Sequence, residues 1–297
     1  MRSIKCENRR TNVSLEFSEH AFGPFLLQSV DGIYQTDNTV YISDNTMTDG
    51  GTYQGSIANI RNIVITLIDN PQNGDGFIYD QQNRDLLYSL FRKDEEGTLY
   101  YTENGVTRKI NYYSEGVSRA PKGSRPFTIS LKCPNPAFVD EQERKVSMAN
   151  WLDQFEFIHE FDAAGEELST RSADRLVNIV NDVAKNNIGM TITIAASGTI
   201  TNPSITRVES NESITVGSTS KPFTMTRGQV LTITTGINNK HVRLTSGGTT
   251  TEVNEYLTED SEFIQLMYGN NNIAYDAEVG QEYMVVDISY SYEYEGA

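Results

Sequence analysis

The chain has 297 residues, room for two hydrophobic cores at the usual ~100–200 residues per domain. Forty acidic residues against 24 basic ones give a net charge of −16, which disfavours nucleic-acid backbones and anionic lipid as partners. Two cysteines, Cys6 and Cys133, cannot build a disulfide framework.

The opening stretch MRSIKCENRR is charged, with no apolar segment behind it, so no signal peptide is expected. Ile63–Ile68 is the longest apolar run, far short of the roughly 20 residues of a membrane span. A cytosol-like folding compartment follows. Sixteen Tyr, 12 Phe and 22 Gly favour sheets joined by tight turns.

In chain order, Ile63–Ile68 (IVITLI) is a near-continuous apolar run of the length expected for a buried strand. The loop DNPQNGDG (Asp69–Gly76) superficially resembles a calcium loop. Pro71 stands where such a loop needs Asp or Asn, and Asp80 stands where the bidentate Glu belongs, so it reads as a solvated turn. Gln81–Glu96 has Leu86, Leu87, Leu90 and Phe91 on one face and predicts a helix, capped by Asp80 and ended by Gly97.

TLYYTE and VTRKINYY flank Asn104-Gly105, a strong short-range hairpin signal. Phe127, Ile129, Leu131 and Cys133 then alternate with polar residues, predicting a strand whose buried face includes Cys133. Pro134 and Pro136 block further pairing, so SLKCPNPAFVDEQ reads as a boundary and Cys133 as an inert buried thiol. Two domains follow, 1–141 and 142–297. Charge divides unevenly between them: through Asp140 there are 14 basic and 17 acidic residues (net −3), leaving 10 and 23 (net −13).

The second half reads as almost all β. FEFIHEF, MTITIA, TNPSITRV, SITVG, PFTMTRG, QVLTITTG, KHVRLTSGG, TTTEVNEYL, EFIQLMYG, NIAYDAEVG and MVVDISYSYEYE succeed one another between Gly and Asn turns. Arg171–Lys185 suits a helix and a strand equally. The fold class expected is mainly β: a β-sandwich-like first domain with one helix and a hairpin, then a jelly-roll β-sandwich of the galectin or carbohydrate-module kind.

No catalytic constellation emerges. His20, His159 and His241 lie far apart without metal-ligand spacing, and phosphate-loop, nucleophile-elbow and zinc-protease motifs are missing. Cys6 near Arg9 and Arg10 has no base beside it. Glu160 and Asp162 would stand roughly 6.5–7 Å apart on one strand face, inside the inverting-glycosidase range, yet on the polar face with nothing to raise either pKa. The expectation is no enzyme, with no catalytic residue, cofactor or metal.

The pattern resembles the distal tail proteins of long, non-contractile-tailed bacteriophages. NRDLLYSLF, LYYTENGVTRKINYYSEGVS and RPFTISLKCPNPAFVD carry the likeness in the first half. VNIVNDVAKNNIGMTITIAASGTITNPSITRV and QLMYGNNNIAY, with Gly269 and Asn272, carry it in the second. Val183 and Tyr268 depart from the family's frequent Gly and Pro.

The resemblance implies a structural virion protein, with no catalytic residue carried over. The first domain would form a hexameric ring at the tail tip, with the second at the periphery. Its partners would be other copies of itself, the tail-tube protein, and the tail-tip spike or baseplate proteins, with DNA passing through the lumen. Receptor-binding proteins or host-surface carbohydrate are further partners, and the location is the virion tail tip or a prophage-encoded equivalent, assembled in the bacterial cytoplasm. Two rival readings are a carbohydrate-binding adhesion module and a tail-associated cell-wall hydrolase.

Calcium at millimolar concentration is expected to leave the melting temperature unchanged, because Asp69–Gly76 lacks ligands at the required positions. A calcium-specific rise of several degrees in a thermal scan, absent with magnesium, would show a cation site in that loop.

Overall fold

A computed structural model describes residues 2–20, 23–45, 49–69, 78–119, 126–148, 151–153, 169–171, 175–183 and 187–297. The chain divides into two compact units: 1–141 together with 293–297, and 142–292. The second unit is thus inserted into the first.

In the first unit β1 (Arg2–Asn8), β2 (Ser14–Ser18), β3 (Phe25–Asp31), β4 (Asn38–Asp44), β5 (Gly51–Ala58) and β6 (Arg61–Asp69) precede α1 (Ile78–Leu90). Then follow β7 (Glu96–Glu103), β8 (Val106–Arg119), β9 (Phe127–Cys133) and β10 (Phe138–Asp140). The order β8-β7-β1-β2-β3-β6-β9 returns to β8, so seven strands close into a barrel rather than facing each other as an open sandwich. One strand makes this possible. β8 is 14 residues long. A register shift between Ser114 and Gly116 bends it, so its first half pairs with β7 and its second half with β9.

Alternation fills the barrel. Phe127, Ile129, Leu131 and Cys133 of β9 are all buried, as their period of two requires. Phe25 lies edge-on to both Phe17 (6.1 Å) and Phe127 (5.7 Å). On β6, Ile63, Ile65 and Leu67 enter the core while Val64, Thr66 and Ile68 are only half-buried, so the apolar run is buried on one face and not on two. Asn104 (φ 53°) and Gly105 (φ 83°) form the expected tight turn between β7 and β8.

The helix starts three residues before the predicted span and ends six residues before it, at Leu90. Asn8, itself buried, donates to the Leu90 carbonyl (3.2 Å) and to Glu95 (2.8 Å), and Asp94 takes a left-handed conformation (φ 60°). These contacts turn the chain into β7 at Glu96. Gly97 therefore lies in a strand instead of ending a helix. It is needed there because the Tyr112 ring covers it: a β-carbon would stand 2.3 Å from Tyr112 Cζ.

A clasp completes this unit. Residues Glu293–Tyr294 pair with β10, Phe138 opposite Tyr294. Arg61, buried, donates to the carbonyls of Pro136 (2.7 Å), Gly32 (2.7 Å), Tyr34 and Glu295, and lies 4.9 Å above the Phe138 ring. Arg108 stacks 3.7 Å above Tyr294 and donates to the Gly296 carbonyl (2.6 Å). The Ala297 amide donates to Ile33 (2.8 Å).

In the second unit β11 (Arg144–Ser147), β12 (Trp151–Asp153), β13 (Ser169–Arg171), β14 (Leu176–Asn181), β15 (Met190–Ala196), β16 (Ile200–Arg207) and β17 (Glu212–Thr215) come first. They are followed by β18 (Thr224–Met225), β19 (Val230–Gly236), β20 (Asn239–Ser246), β21 (Thr249–Glu252), β22 (Gly269–Val279) and β23 (Met284–Tyr290). One sheet has the order β11-β23-β15-β19-β20-β21 and another β14-β22-β16-β17, with β18 also on β16; β12 and β13 form a separate pair. Ile192, Ile194, Leu231, Ile233, Val286 and Ile288 are the buried face of the first sheet; Ile200, Ile205, Ile214, Ile273 and Tyr275 are that of the second.

The region 171–185, open between helix and strand, contains the strand β14: Ile179 and Asn181 are buried, Leu176 and Val180 exposed. EFIQLMYG is not a strand. Its Ile264 and Leu266 are buried, but the segment is held by an isolated bridge from Leu266 to Ile188 and by buried Arg207, which donates to the Gln265 carbonyl (2.8 Å). FEFIHEF and most of DNPQNGDG lie outside the described residues.

Arg61→Ala should destabilise the first unit by about 1–3 kcal/mol in urea unfolding, since four part-buried carbonyls lose the donor they share. A fragment of residues 1–141, lacking the clasp, should melt well below a chain in which a short Gly-containing turn joins Asp140 to Glu293. Equal melting temperatures would show that residues 293–297 contribute nothing to the barrel.

Candidate assembly surface

The residues that suggested chemistry do not converge. Cys6 and Cys133 are both free and buried. Burial pushes both thiols up, Cys133 to about 12, so neither is a thiolate at neutral pH. His20 is exposed on a loop. His241 on β20 places Nδ1 3.0 Å from Glu252 on β21, which also accepts from Arg243 Nε (2.6 Å). The Arg243 hydrogen bond holds the Glu252 carboxyl below its usual range. This is a surface ion-pair group, not a catalytic pair. His159, Glu160 and Asp162 lie outside the described residues. Among the described residues no cluster of three His, Cys, Asp or Glu side chains could share a metal ion. No described helix is long and apolar enough to cross a membrane.

The late turn is organised by Asn271 rather than Asn272. Asn271 is buried, accepts from the Met267 amide (2.8 Å), and donates to the carbonyls of Met267 (2.8 Å) and Ile179 (3.3 Å). Asn272 instead pairs with Asn178 (2.8 Å) on the sheet surface.

A cluster of exposed apolar side chains lies elsewhere, in the first unit. β4 and β5 pair only with each other, as a two-stranded ribbon set apart from the closed barrel. Of the ten exposed large apolar side chains among the first unit's described residues, seven belong to this arm and its base: Tyr34, Val40, Tyr41, Ile42, Tyr53, Ile57 and Ile60. They are 50–65% exposed. Cross-strand pairing sorts them onto both faces. Ile42 opposes Tyr53 and Val40 opposes Ser56 on one; Tyr41 opposes Gly55 and Thr39 opposes Ile57 on the other.

Such a ribbon has two open edges and two apolar faces, while an isolated two-stranded hairpin is marginal in water. Apart from a register shift between Tyr41 and Ile42, little blunts its edges: Asn38–Ala58 contains no Lys, Arg or Pro, and its two acids, Asp44 and Asp49, lie toward the turn. The base is fastened by Asn59 N–H to the Asp37 carbonyl (3.0 Å) and Thr39 Oγ1 to Asn59 Oδ1 (2.9 Å). Reasoning on the sequence passed over the arm. Its signal was present in the apolar residues of TVYIS and TYQGSI on either side of Asp49-Gly50-Gly51.

No protein-family model and no curated protein sequence matches the chain. Solved structures show the fold: it is similar to that of phage tail hub and baseplate proteins. The SPP1 Dit protein, described as a paradigm of the hub adsorption apparatus in phages infecting Gram-positive hosts, aligns over 98% of this chain and 99% of its own, with TM-score 0.65 and 14% identity. A chain of the phage P2 baseplate in its activated conformation aligns over the full length of both, with TM-score 0.54 and 10% identity in the calcium form and 0.52 and 10% in the strontium form.

Cys6 and Cys133 should react with a thiol reagent only after denaturation, because a thiol at about 12 leaves roughly one molecule in 10⁴ ionised at pH 8. Rapid labelling of Cys133 in the native protein would show that the end of β9 opens.

Proposed function

We propose that this chain is a structural protein of a bacteriophage tail tip, a ring-forming hub rather than an enzyme. In this reading six copies close through the first unit, and the second unit, a jelly-roll sandwich of the carbohydrate-module kind, lies at the periphery. The ring joins the tail-tube protein to the spike or baseplate proteins used in host adsorption, and DNA passes through its lumen. The observation that carries the reading is a fold likeness spanning both units of the chain and essentially all of a tail hub protein.

Charge gives weaker support than the linear sequence suggested. With residues 293–297 assigned to the first unit, that unit has 14 basic and 20 acidic residues (net −6), and the second has 10 and 20 (net −10). Six copies of a unit at −6 repel one another, so their contacts must be made where carboxylates are sparse. The arm is such a place. The absence of a convergent acid–base pair among the described residues agrees with a role in assembly.

Full-length protein, concentrated and imaged by negative-stain electron microscopy, should show closed six-fold rings, with a matching mass by light scattering after size exclusion. Persistence as a monomer, both at millimolar concentration and when mixed with the tail-tube protein, would overturn the hub reading. Turnover of host cell wall by the purified chain would favour the hydrolase instead.

A further inference from the structure

We infer that the C-terminal clasp is a latch for the base of the arm: residues 293–297 and the loop 32–37 open together, as one local unit, while the barrel stays closed. The latch lies within one chain and is independent of the ring.

The clasp sits directly on the loop. Residues 32–37 connect β3 to β4 and lie outside both strands. Arg61 donates to the carbonyls of Gly32 (2.7 Å) and Tyr34, the Ala297 amide donates to the Ile33 carbonyl (2.8 Å), and Gln35 Nε2 donates to Glu295 Oε2 (2.9 Å). The two backbones also approach closely: a β-carbon on Gly296 would stand 3.2 Å from the carbonyl carbon of Tyr34. At the far end of the loop Asp37 accepts from the Asn59 amide (3.0 Å), just where β4 begins and β5 has ended. What fixes the loop therefore fixes the base of the arm.

The clasp is itself lightly held. Its strand is two residues long, at the outer end of the sheet order, and pairs only with the three-residue β10. Arg108 stacks on Tyr294 (3.7 Å) and donates to the Gly296 carbonyl (2.6 Å), and Tyr294 Oη donates to Asp140 (3.0 Å). By contrast, β7 pairs along nearly its whole length with β1 on one side and β8 on the other. A short edge pairing opens at a lower free energy than a strand held on both sides. Glu293 follows directly on Tyr292, so a load borne by the second unit enters the first through this pairing. Lifting the clasp removes the contacts at Ile33, Tyr34 and Gln35 in one step. Residues 32–35 are then left to Arg61 and the buried side chain of Ile33.

Hydrogen–deuterium exchange of the full-length protein and two variants tests the latch. Gly296→Val wedges the clasp against the backbone of residues 33 and 34, and a chain ending at Tyr292 removes the clasp altogether. Both should raise exchange of peptides covering 32–37 and 58–60 about tenfold or more, with peptides from β1 and β7 unchanged. In the unaltered chain the amides of Ala297 and Asn59 should have protection factors equal to within about threefold, falling in parallel as low urea is added. Unchanged exchange of 32–37 in either variant, or loss of protection in β1 and β7, would overturn the latch. Protection at Ala297 and Asn59 that differs, or that responds differently to urea, would overturn it without any variant having to fold.

Discussion

Closure of the barrel at β8 and β9 is the constraint on which the first unit depends. β8 must serve two neighbours, and the bend between Ser114 and Gly116 lets one strand do so. Once the seam is closed, every barrel strand has partners on both sides and the alternating residues of each strand share one interior. Phe17, Phe25 and Phe127 meet there although they are far apart in sequence. Closure also isolates the arm. A hairpin beside an open sheet could extend it; the strands of a closed barrel offer it no free edge.

The Arg61 clasp is the second long-range device. A guanidinium buried among carbonyls is tolerable because its planar donors reach four of them and its face lies on Phe138. Those carbonyls come from the segments around residues 32–34, 136 and 295, so one side chain ties the base of the arm, the chain beyond β9 and the returning C-terminal strand together. This arrangement makes the second unit an insertion whose two connections leave the first unit side by side at Asp140 and Glu293.

The first unit provides a closed barrel and an arm without basic residues, and the second a few buried polar staples such as Arg207 and Asn271. Among the described residues, the titratable groups singled out from the sequence are buried in the core or paired on the surface. Cys6 and Cys133 pack as apolar groups, and His241 and Arg243 share the carboxylate of Glu252. The fold likeness to the SPP1 Dit protein holds at 14% identity.

Much was legible in the sequence where a local rule decides the outcome. Alternation placed Cys133 inside, Asn104-Gly105 supplied two positive-φ residues for a tight turn, and Pro134 and Pro136 stopped the strand. The order of hairpin, strand and boundary was enough to mark the resemblance to tail hub proteins. Tertiary structure decided what local rules cannot reach. The helix ends at Leu90 because Asn8, 82 positions away in sequence, holds its last carbonyl; Gly97 is a glycine because Tyr112 lies over it. The division of charge changed because residues 293–297 return to the first unit. The arm's exposure follows from the pairing of β3 with β6, the strands on either side of it, inside a barrel closed by β8 and β9. Propensity and period act over a few residues, whereas closure, return and exposure depend on which distant strands pair, and that is settled only when the whole core forms.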